Sequence, residues 1–294
     1  MDLADFRAVR RVLEPDDFAL TDEEPDPPPT DLIDRESWEH VMALPGHVAI
    51  TTTSYQGSRI SLMKDLSSEW AFSMPLSGIT GQAMGVISDN LTSSIFNTVH
   101  GYYKTALTVL RAALETSVFA ARCSLAADQA RWELWNGGAE FKFGNTCEEI
   151  LQLSAVKGQE HEVVDQVGIG IFKGSIARTH DSWARNLYSR LCRYSHARGD
   201  TTDDSIWKSN GPIYSADGLR VCYEVFLETY ALMLLLAKWG QGRMGLKHNG
   251  RLILRQDSLG IYMRKPFCEV AACYRDWLWK PRIHRIRRIR PEID

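Results

Sequence analysis

Between residues 92 and 125, apolar side chains return every three or four positions: Ile95, Phe96, Val99, Tyr102, Tyr103, Ala106, Leu110, Leu114 and Val118. That spacing lines one face of a 3.6-residue helix, so a single long amphipathic helix is expected over about 92–125. The same pattern predicts helices over about 176–196, 218–239 and 266–279, with shorter pieces at 132–138 and 146–156. A leading helix is expected over about 3–13. Gly199 and Gly240 follow two of these runs and fit C-terminal caps. Residues 47–63, HVAITTTSYQGSRISLM, depart from the helical period. They are rich in β-branched side chains and interrupted by Gln-Gly-Ser, which reads as a hairpin. The expected fold class is mainly α, a bundle of long helices with a small β-hairpin near 47–63.

Prolines sharpen this division. No proline occurs between Pro75 and Pro212, a stretch that suits several long helices because proline is the strongest helix breaker. Pro25, Pro27, Pro28 and Pro29 lie in the acidic run TDEEPDPPPTD, which reads as an extended linker. The chain has 294 residues, 44% of them apolar and 24% charged, enough for one large domain. Three parts are expected: an acidic segment with its proline-rich linker over 1–35, a helical domain over 36–280 and a basic tail over 281–294.

Net charge is −3, but the ends differ. Residues 1–40 hold thirteen acids against four bases, and residues 275–294 hold seven bases against three acids. Arg282, Arg285, Arg287 and Arg288 of the tail are candidate phosphate contacts, and docking on an acidic surface is the alternative. The charged N-terminus has no apolar core of a secretory signal. The longest apolar run, 221–239, contains Glu224, Glu228 and Lys238, so it reads as a buried core helix and not as a membrane span. A cytoplasmic protein with no membrane partner is expected. The six cysteines form no CxxC pair and fit free buried thiols.

Few motifs carry chemistry. VGIGIFKGS, residues 167–175, lacks the order of a phosphate loop and the spacing of a dinucleotide fingerprint, and reads as a flexible connection. The eight histidines form no HxxxH or HExxH pair, and no GxSxG elbow is present. No metal and no cofactor are expected. One constellation remains, RNLYSRLCRYSHARGD at 185–200. Arg185, Arg190, Arg193 and Arg198 surround His196. Guanidinium groups bind phosphate oxygens in pairs, and a histidine titrating near neutrality moves protons. The same residues also fit a solvated basic helix face ended by a capping histidine.

Two stretches together resemble the HEPN superfamily of helical-bundle proteins found in bacterial toxin–antitoxin, abortive-infection and RNA-processing systems. GYYKTALTVLRAALETSVFAARC, 101–123, is similar to the long first bundle helix, with an internal LRxxLE. LYSRLCRYSHAR, 187–198, is similar to the segment that ends a later helix, and Arg190-x5-His196 fits the ribonuclease motif of that family. The position after the arginine, commonly polar in the family, is Leu191 here. The resemblance implies a helical bundle that binds or cleaves RNA without metal. Arg190 and His196 would be the catalytic pair, and Arg185, Arg193 and Arg198 would contact phosphates. It also implies a homodimer and an antitoxin or defence-system partner. A non-catalytic module for a partner protein or nucleotide is the alternative it leaves open.

Overall fold

A computed structural model describes residues 35–38, 41, 43–72, 78–154, 156–157, 160, 170–173, 182–195 and 211–241. Packing divides the chain into two units, Met1–Ala43 and Leu44–Asp294. In the first, Arg35–Trp38 form one helical turn. The described residues of the second form seven helices: α1 Leu44–Phe72, α2 Gly78–Val99, α3 Tyr103–Leu125, α4 Gln129–Asn136, α5 Phe143–Gln152, α6 Trp183–Ser195 and α7 Ala216–Gln241. The mainly α class holds, and the described residues contain no strand. The leading helix at 3–13, the helix at 266–279, Gly199 and the basic tail lie outside the described residues.

The hairpin expected at 47–63 does not form; these residues belong to α1. Pro45 sits in the first turn, where its missing N–H costs no hydrogen bond. Two hydroxyls of the β-branched run bond within the helix, Thr51 Oγ1 donating to the His47 carbonyl at 2.9 Å and Thr53 Oγ1 to that of Ala49 at 2.8 Å. Gln56-Gly57, read as a turn, produces only a kink, with Gln56 at φ −132°, ψ 22°. Beyond it Met63, Leu66 and Trp70 fall on one buried face. Packing of that face overrides a β-propensity that describes fit to a sheet the fold does not contain.

The helix expected over 92–125 is broken at residues 100–102 into the hairpin of α2 and α3. Gly101 adopts φ +81°, and a Cβ there would lie 2.4 Å from the Ile213 carbonyl oxygen. Backbone crowding of that kind leaves room for glycine alone. The hairpin runs antiparallel: Thr80 near its start meets Ser124 near its end, hydroxyl to hydroxyl, at 2.8 Å. Phe96 is correspondingly 60% exposed although the periodic pattern placed it on the buried face. Its ring lies 4.0 Å from the His100 ring.

Helix α3 is the axis of the body. It packs against α2, α4, α5, α6 and α7, and thirteen of its residues are buried, among them Leu107, Leu110, Leu114 and Phe119. Truncating such a leucine to alanine costs about 2–5 kcal/mol through lost burial and the cavity left behind. Helix α7 supplies the facing wall with Cys222, Phe226, Tyr230 and Leu234. It continues through Gly240, so that glycine is not its cap. The apolar run at 221–239 is thus a core helix, and no described helix is long and apolar enough to cross a membrane. Cys123, Cys147 and Cys222 are buried free thiols and Cys192 is half-buried.

Candidate functional site

Helix α6 carries the described part of the arginine cluster. Its apolar side, Ala184, Leu187 and Leu191, is buried, and the helix packs on α3. Leu191 has no exposed surface, so a polar side chain after Arg190 would be placed in the core at the cost of its hydration. The start of α6 is held by a peptide loop. The Gly170 carbonyl accepts the Trp183 N–H at 3.1 Å and the Ile171 carbonyl accepts that of Ala184 at 2.9 Å. Glu160, fully buried, anchors this loop through the amides of Ile171 at 3.0 Å and Phe172 at 2.8 Å. The part of 167–175 that is described is therefore a fastened turn and not the flexible connection its glycines suggested.

The arginines of α6 diverge. Five positions rotate a helix by about 140°, so Arg185 and Arg190 meet different neighbours. Arg185 donates to the Gly144 carbonyl at 3.0 Å and to Glu148 at 2.6 Å, both on α5. Arg190 pairs with Glu228 of α7 through one guanidinium nitrogen. The second Glu228 oxygen accepts the Trp183 indole N–H at 3.1 Å. The Arg190 and Glu228 side chains are 20% and 13% exposed, and the Arg190 Nε is buried without a hydrogen-bond partner. Arg193 points into solvent in the last turn. His196, Arg198, Arg282, Arg285, Arg287 and Arg288 lie outside the described residues.

A second polar group lies on the α3 side. Tyr188 of α6 stacks on Phe143 with centroids 3.9 Å apart and donates to Glu115 at 2.8 Å. The same Glu115 oxygen accepts Arg111 Nε at 3.0 Å, and the Arg111 guanidinium lies 5.5 Å from the Tyr188 ring centroid. Burial, and then the bond to Glu115, hold the Tyr188 hydroxyl above its ordinary titration range. Tyr188 is thus a hydrogen-bond donor at neutral pH.

Glu228, Trp183, Tyr188, Glu115 and Glu160 were not legible as site residues. Glu228 did leave one signal: a carboxylate in an apolar helix demands a partner once buried. That partner is 38 positions away. Chemically, Arg190 is a guanidinium already neutralised by a carboxylate, so a phosphate reaches it only by displacing Glu228 or by joining the pair from the solvent side. No family model, no curated protein and no solved structure matches the chain.

Proposed function

We propose that this chain is a non-catalytic, HEPN-like helical module that binds RNA, working as a homodimer in a cytoplasmic phage-defence or toxin–antitoxin setting. The observation that supports binding over cleavage is the Arg190–Glu228 pair beside a fully buried Leu191. A guanidinium that must stabilise developing phosphate charge works best when its donors are uncommitted and aimed at the reacting group. Arg190 has a carboxylate in that place. Exposed Arg193, with Arg198 and the tail arginines, would contact the backbone of the RNA, and each such contact adds salt dependence to affinity.

A second reading keeps ribonuclease activity. It is favoured by the remaining exposure of the Arg190 side chain. His196 would then move the proton of the ribose 2′-hydroxyl, and Arg190, released from Glu228, would bind the phosphate. Purified protein incubated with single-stranded RNA in EDTA separates the two. Binding that weakens steeply with salt, without cleavage and unaffected by His196→Ala, is expected. Cleavage leaving cyclic phosphate ends, abolished by His196→Ala, would replace the first reading with the second. Absence of any RNA binding would remove both.

A further inference from the structure

Glu160 is fully buried, yet its carboxylate is the fixed point on which the start of α6 is built. Its two oxygens accept the Ile171 and Phe172 amides, and the Lys173 amide bears on the same carboxylate. The turn closes on itself through Gly170 N–H to the Lys173 carbonyl at 3.0 Å. Its outward carbonyls, Gly170 and Ile171, accept the Trp183 and Ala184 amides that open α6. Trp183 in turn holds Glu228, and Glu228 holds Arg190. A continuous set of hydrogen bonds therefore runs from one buried carboxyl to the arginine cluster.

We propose that Glu160 is a proton-operated clasp, whose protonation state sets how firmly the Gly170–Lys173 turn grips the first turn of α6. The proposal stands on this geometry whether or not the chain binds RNA. Burial pushes the Glu160 carboxyl up to about 7, against the three amides and the Lys173 charge, which pull it down. Among the described residues, the ionisable groups that bear on it are Lys173 from the turn and the Cys147 thiol from α5. Burial pushes that thiol up to about 12, so it stays neutral across the relevant range, and Glu148 and Arg185 beside it pair with each other. In an open state, where the carboxyl meets water, it returns to its ordinary value of 4.5. The closed clasp thus holds the proton more tightly than the open one. Closure is favoured below the open-state value and loses ground as pH rises from there through about 7.

Amide hydrogen exchange at Trp183 and Ala184, followed by NMR at pH 6 and pH 8 and corrected for intrinsic rates, tests this. In the wild type, protection should fall about tenfold between the two pH values, the change that proton linkage gives for a carboxyl at about 7 when closed and 4.5 when open. In Glu160→Gln, which has no proton to lose, protection should not change with pH. Equal pH dependence in the two proteins, or no fall in the wild type, would overturn the clasp. Should the glutamine variant fail to fold, the wild type still decides: a fall at Trp183 and Ala184 no greater than that at Leu110 in α3 would equally overturn it.

Discussion

Whether Arg190 is available to a phosphate depends on how tightly Glu228 holds it, and that strength is measurable. Replacing Glu228 with leucine removes the carboxylate that neutralises Arg190 and the acceptor of the Trp183 indole N–H. Leaving a fully buried charge without its partner costs about 3–5 kcal/mol. Here the side chains keep 20% and 13% of their exposure, so water relieves part of that penalty. The orphaned indole N–H adds about 1 kcal/mol. A loss of about 3 kcal/mol is expected for Glu228→Leu, read by urea unfolding followed with far-ultraviolet circular dichroism. Arg190→Met alone should cost less, about 1–2 kcal/mol, because Glu228 keeps the Trp183 indole N–H as a hydrogen-bond donor. The double variant, with two apolar side chains of similar volume facing each other, should recover to within about 1 kcal/mol of the wild type. The cycle then yields a coupling of about 3 kcal/mol or more. A coupling below about 0.5 kcal/mol is the size of a solvated surface pair. That result would refute the claim that Glu228 occupies Arg190 and would strengthen the ribonuclease reading.

Three further outcomes follow from the packing. Gly101→Ala should destabilise the body by about 2–4 kcal/mol, since it combines a left-handed φ with overpacking against the Ile213 backbone, and a lowered unfolding midpoint with an unchanged urea slope checks it. Trp132→Phe keeps part of the packing against Phe119 but deletes the indole donor to Gln82 at 2.6 Å; a loss of about 1–3 kcal/mol in the same assay is expected, and a neutral result would show that Gln82 rehydrates freely. Glu149 is pushed up by desolvation but brought below its ordinary range by the hydrogen bonds from Arg131 and Arg122. Its contribution is present above the unfolded-state value of 4.5 and is lost as pH falls through the lower folded-state value, so Glu149→Gln should reduce the acid-side loss of stability seen in wild type.

Helix periodicity is a local property, and it was legible wherever one face of a run is apolar. The regions of α3, α4, α5, α6 and α7 could be located because burying such a face requires that spacing whatever lies opposite. The breaks were not local. Residues 47–63 carry strand composition, but no neighbouring strand exists among the described residues, and the buried face of Met63, Leu66 and Trp70 makes the segment helical. The split at Gly101 arises because the backbone at Ile213, more than a hundred residues later, occupies the space a side chain would need.

The arginines divide in the same way. That Arg185, Arg190 and Arg193 share one helix follows from their spacing alone. Which of them is paired depends on groups brought in from elsewhere: Gly144 and Glu148 on α5, Glu228 on α7. A charge along a chain has no fixed environment until folding sets its neighbours, its burial and its competing hydrogen bonds. The sequence by itself thus determined the helical class, the helices with one apolar face and the candidate residues, and only the tertiary structure decided where those helices break, that Arg190 stands against a carboxylate and that a buried glutamate fastens the helix that carries it.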